Sequence, residues 1–172
     1  MSETLTPSEL LRRIAAIKGD IARWTALYRT SNVWSENTPR PAYREGEVRA
    51  ELDAATEALI KYKTALAVVN ATTWIKLPGT GRETPLVEAI FRLAENKSRQ
   101  TTLEALDTRS DKESTVDQRG YVGDKIETVK VKVHSALTTR ERDDQLRALR
   151  AEFAAINALI ERTNNTVTVT ID

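Results

Sequence analysis

Residues 6–28 read TPSELLRRIAAIKGDIARWTALY, and their spacing decides the fold class. Leu10, Ile14, Ile17, Ile21, Trp24 and Tyr28 step by four and three, the interval that puts successive side chains on one face of an α-helix. Thr6-Pro7-Ser8-Glu9 supplies the start: the Thr6 hydroxyl suits a first-turn amide, Pro7 suits the first helical position, and Glu9 reaches back to the cap. Gly19 weakens the middle by about 1 kcal/mol relative to Ala. Residues 30–41, TSNVWSENTPRP, end the helix with two prolines and several turn formers.

The same spacing recurs downstream. Val48, Leu52, Ala55, Leu59, Tyr62, Leu66 and Val69 define a second helix over about 43–69, and a loop of this length most simply makes the pair an antiparallel hairpin. Residues 72–77, TTWIKL, change to a β-branched and aromatic pattern, and PGTG (78–81) closes it as a turn. Thr84-Pro85 opens a third helix on Leu86, Ile90 and Leu93. Its apolar order then frays, because Lys97 and Gln100 stand where apolar residues would continue. Residues 107–124, DTRSDKESTVDQRGYVGD, are polar and turn-rich and predict a mobile loop. Strict alternation of valine with lysine and His134 over 128–134 predicts a strand. A second capping box, Thr138 with Glu141, opens a fourth helix on Leu146, Leu149, Phe153, Ile156 and Ile160. TVTVTI (166–171) alternates as a last strand. The expected fold is mainly α: an antiparallel bundle of four helices with a small three-stranded antiparallel sheet from 72–77, 128–134 and 166–171. It is expected to form one domain over 1–172.

Composition narrows the chemistry. Twenty-six basic residues against twenty-five acidic leave a net charge of +1, so no basic excess marks the chain as a nucleic-acid binder. There is no cysteine, which removes disulfides and thiolate chemistry, and a single histidine rules out a histidine-rich metal site within one chain. No apolar run approaches signal-peptide or membrane-span length, so a soluble, cytoplasmic protein is expected.

Five stretches occur in the order seen in a known family: RRIAAIKGDIARW (12–24), VVNATTW (68–74), TPLVEAI (84–90), RGYVGDKIETVKVKV (119–133) and LRAEFAAINALIERTNNTVTVTI (149–171). In these the chain resembles the septicolysin-like family of small, mostly uncharacterised helical bacterial proteins. It departs from the family's acidic or arginine-rich third-helix middle, reading ENKSRQTTLEAL at 95–106. The resemblance implies a helical, oligomeric fold with a small sheet. The family name suggests haemolysis, but no segment here is apolar enough to enter lipid.

No nucleophile elbow, phosphate loop or dinucleotide fingerprint occurs, and no catalytic residue or cofactor is expected. Carboxylates are plentiful (Glu45, Glu47, Glu51, Asp53, Asp143 and Asp144), and helical spacing could put Glu47 and Glu51 on one face, but bundle metal sites also use an inward Glu-x-x-His. These acids read as solvated, with no metal site. His134 reads as an exposed surface histidine. Lys130 and Lys132 on one strand face, with Arg119 and Tyr121 before them and Asn70, Thr72 and Asn164 at helix exits, form a candidate site for a small, nucleotide-like anion. Alternating lysine also protects sheet edges. Trp34, in a proline-containing loop without periodic reason for burial, is a candidate interface anchor. The expected function is that of a non-catalytic helical protein that self-assembles as a homo-oligomer or binds a protein partner. The alternative is binding or sequestering of a small anion.

Overall fold

The computed structural model of the chain describes residues 2–37, 39, 43–122 and 125–171, without the side chains of 31, 121, 122, 125 and 127. In chain order the elements are β1 (Glu3–Leu5), α1 (Pro7–Ser31), α2 (Glu45–Thr72), β2 (Trp74–Lys76), β3 (Glu83–Pro85) and α3 (Leu86–Glu104). Then come β4 (Glu113–Val122), β5 (Lys125–His134), α4 (Thr139–Thr166) and β6 (Val169–Ile171). The chain divides into two compact units, 1–89 with 158–172, and 90–157; α3 and α4 each contribute to both.

In the first unit α1 and α2 lie antiparallel, as Tyr28 donating to Glu45 at 3.2 Å and Tyr62 donating to Glu3 at 3.3 Å require. The capping box forms as its chemistry dictates: the Thr6 amide donates to Glu9 at 2.8 Å and the Glu9 amide to the Thr6 hydroxyl at 3.3 Å. Of the α1 seam, Leu10 and Ile14 are buried, and Val48 and Val69 mark the buried ends of the α2 seam. The chain's ends clasp each other, with Glu3 opposite Ile171 and Leu5 opposite Val169 in an antiparallel ladder. That clasp brings Leu5 and Ile171 onto Leu10, and Tyr62, Ala65, Leu66 and Val169 pack around them.

The expected three-stranded sheet does not form among the described residues. Each of its three segments has another antiparallel partner: β2 with β3, β5 with β4, and β6 with β1. Proximity along the chain explains two of these. β2 and β3 are joined through a tight turn in which Gly79 and Gly81 adopt positive φ (80° and 66°), a region that L side chains avoid. β4 and β5 are separated by only two residues in the ladder. The predicted loop over 107–124 is therefore half strand. β4 escaped the periodicity reading because ESTVDQRGYV has no apolar alternation; it is strand by virtue of its pairing with the valine-rich β5.

In the second unit α3 and α4 pair antiparallel through polar side chains. The apolar order of α3 breaks after Leu93 and Lys97 is exposed, but the contact continues through polar side chains, with Asn96 buried and Gln100 half-buried. Gln100 donates to the Asn96 carbonyl at 2.7 Å, and the Asn96 amide donates to Glu152 on α4 at 2.9 Å. Leu146, Leu149 and Ile156 supply the apolar half of the contact face.

Candidate functional site

The second unit carries a long two-stranded ribbon. β4 and β5 pair without a bulge from Glu113↔His134 to Val122↔Lys125. At about 3.3 Å per residue each strand runs roughly 33 Å. Alternation divides the ribbon into two faces. One carries Ser114, Val116, Gln118 and Gly120 with Val129, Val131 and Val133; its base is partly buried, but Gln118 and Val129 are exposed. The other carries Glu113, Thr115, Asp117 and Arg119 with Thr128, Lys130, Lys132 and His134, and all of these are exposed. Ile126, at 63% exposure, stands near the ribbon's end.

The base is held firmly. Lys112 lies 3.0 Å from Glu141, which also accepts from the Thr138 amide at 2.8 Å in the second capping box. Those contacts, with the Thr138 amide first, hold the Glu141 carboxyl down at about 2. Glu9 is lowered for the same reason, through the Thr6 amide. Beside the base a cavity of about 310 Å³ is lined by Leu106–Arg109 and Val133–Leu137.

Of the expected site residues, Lys130, Lys132 and Arg119 share the charged ribbon face. Tyr121 falls at the register position that continues it, although its side chain lies outside the described residues. Carboxylates interleave with these cations: Asp117 is directly opposite Lys130, and Glu113 lies 3.6 Å from His134. Asn70, Thr72 and Asn164 belong to the first unit. The Thr72 hydroxyl donates to the Val68 carbonyl at 2.9 Å, while the side-chain carbonyls of Asn70 and Asn164 are buried without a donor among the described residues. Trp34 is half exposed.

Sequence reading missed a second feature of this unit. Arg142, Arg147 and Arg150 line a groove of about 590 Å³ with Glu104, Asp143 and Leu146. Their spacing on α4 was the available signal, since positions 142, 146, 147 and 150 share one helix face. Each guanidinium is met by a carboxylate: Arg142 by Asp143 at 2.8 Å, Arg147 by Asp144 at 3.0 Å and Arg150 by Glu104 at 2.7 Å. Among the described residues no cluster of His, Asp or Glu is placed to hold a metal ion, and no helix is long and apolar enough to cross a membrane.

No protein-family model matches the chain, and no curated protein matches it. A crystal structure of a functionally unknown conserved protein from Corynebacterium diphtheriae is similar in fold. Its TM-score is 0.70 at 15% identity, over 97% of this chain and 99% of that one. That likeness extends to the fold alone.

Proposed function

We propose that the chain is a non-catalytic protein that assembles with copies of itself, and that the β4–β5 ribbon is its means of doing so. The ribbon carries this reading. A two-stranded ribbon is marginal in water on its own, yet this one is ten residues long on each strand and leaves Ile126 and Val129 exposed. Extending the ribbon with strands of a second copy would relieve that marginality, each new backbone hydrogen bond adding about 0.5–1.5 kcal/mol net. Glu9 and Glu141, whose carboxyls are held low, are occupied in helix caps, which supports a structural use of these charged groups. Sedimentation equilibrium tests the reading. A discrete species of at least twice 19.3 kDa is expected, and a monomer throughout the accessible concentration range refutes it.

A second reading, binding of a small anion such as phosphate or a nucleotide, is favoured by the three arginines of the α4 groove. A ligand that binds only the native state raises the melting temperature by mass action. Inorganic phosphate and nucleotides should then raise it, and an unchanged melting temperature across such a panel removes this reading.

A further inference from the structure

The backbone of the ribbon states which amides face outward. The Ser135 amide donates to the Lys112 carbonyl at 2.9 Å, and these two residues stand opposite each other one step beyond the Glu113↔His134 pair. Hydrogen-bonded and non-bonded pairs alternate along an antiparallel ladder. The even-numbered residues of β4 therefore bond to β5, and Glu113, Thr115, Asp117, Arg119 and Tyr121 turn their N–H and C=O groups to the outer edge. Among the described residues no strand pairs with that edge.

We infer that the outer edge of β4 is the seam between two copies of the chain, antiparallel about a two-fold axis through Gln118. The inference rests on the self-assembly reading above and names its surface. An antiparallel partner must match odd residues with odd ones, which leaves few symmetric registers. An axis through Asp117 sets aspartate against aspartate. An axis through Gln118 sets Asp117 against Arg119 of the second copy, and Arg119 against its Asp117, with strand overlap over 114–122. An axis through Val116 also gives opposite charges, Glu113 with Arg119, but the overlap shrinks to 113–119.

The chosen register extends the charge order already present within the ribbon. Lys130 faces Asp117 across β5 and β4, so the row across four strands reads Lys130, Asp117, then Arg119 and Thr128 of the second copy. Asp117 and Arg119 make no ion pair among the described residues and are available for it. The β5 edge suits the role less. Its outward residues include Lys130 and Lys132, and an axis at Lys130 or Val131 sets lysine against lysine, the arrangement by which natural edges resist pairing.

Because the chain has no cysteine, disulfide trapping reads the register directly. Gln118 and its counterpart would form a non-hydrogen-bonded pair with Cα atoms about 4.5 Å apart, within the range a disulfide spans. Gln118→Cys should give a covalent dimer under mild oxidation. Val116→Cys, on the same face, would lie opposite Gly120 and roughly 13 Å from its own counterpart along the strand, and should not. Asp117→Arg should raise the dissociation constant on the order of tenfold or more through two symmetric like-charge contacts, and Asp117→Arg with Arg119→Asp should restore it. Circular dichroism checks that each variant keeps its fold. A monomeric wild type overturns self-assembly and the seam together. A discrete wild-type oligomer that Gln118→Cys fails to trap and Asp117→Arg fails to weaken overturns the seam alone. Trapping by Val116→Cys in place of Gln118→Cys overturns the axis.

Discussion

Leu10 and Leu11 are adjacent leucines in the first turns of α1, and the fold should make their truncation unequal. Leu10 has no exposed surface and touches the Leu5–Ile171 clasp, whereas Leu11 is 48% exposed. Leucine to alanine removes three carbons, about 2.4 kcal/mol of transfer energy at roughly 0.8 kcal/mol per methylene. At Leu10 the void adds to this, because two short strands and two helices meet there and cannot all relax inward. Leu10→Ala should cost about 3–5 kcal/mol, the upper part of the range for buried leucines. At Leu11 half the transfer term is already absent, no cavity forms, and alanine gains slightly in helix propensity, so the cost should be about 1 kcal/mol or less. For a chain of this size each kcal/mol moves the melting temperature by roughly 2–4 °C. Thermal and urea unfolding at equal protein concentration, followed at 222 nm, should separate the variants by about 5 °C or more, with unchanged urea slopes. Equal losses at the two positions would refute the seam assignment and the terminal clasp with it.

Glu141 has its carboxyl held at about 2 against an ordinary value of 4.5, so its stabilising contribution is complete above about 4.5 and disappears as pH falls toward 2. Glu141→Gln should therefore be less stable than wild type at pH 7, and acid titration of the melting temperature should close the gap between pH 4.5 and 2. Asn96→Asp places a second carboxylate beside Glu152 at a buried position, and the loss at pH 7 should be about 1–3 kcal/mol. Protonation of one carboxyl relieves it, so the deficit should shrink on acidification; a pH-independent deficit would remove the carboxylate contact as its cause. With the seam on the β4 edge, Trp34→Ala should leave the sedimentation boundary unchanged, and a shift toward monomer would make Trp34 an anchor instead.

The helices were legible because their evidence is local. Four-three spacing names Leu10, Ile14, Val48, Val69, Leu146 and Ile160 without reference to any distant residue, and a capping box is written within four positions. Strand partners were not legible in the same way. TVTVTI alternates plainly, but its partner is the three-residue ETL at the other end of the chain, where no periodicity can accumulate. The α3 seam misled for a different reason. Asn96 and Gln100 are as seam-positioned as any leucine, but their burial depends on Glu152 arriving from α4, which only the tertiary structure supplies. The candidate anion site divides along the same line: Lys130 and Lys132 share a face by alternation alone, while the pairing that brings Arg119 to that face and sets Asp117 opposite Lys130 needs the register.

The two candidate surfaces also differ in what a partner must displace. In the α4 groove every arginine already holds a carboxylate, so an incoming anion exchanges one charge-assisted contact for another and must separate Arg150 from Glu104 across two helices. An exposed pair of this kind contributes up to about 1 kcal/mol, and three must be broken. At the β4 edge no strand pairs with the outward amides and carbonyls among the described residues, so a second strand displaces no ladder hydrogen bond there. Each new backbone hydrogen bond then adds about 0.5–1.5 kcal/mol net. The Asp117–Arg119 contacts fix the register at little desolvation cost, because both side chains remain at the surface. On this balance the β4 edge is the more economical of the two candidate surfaces.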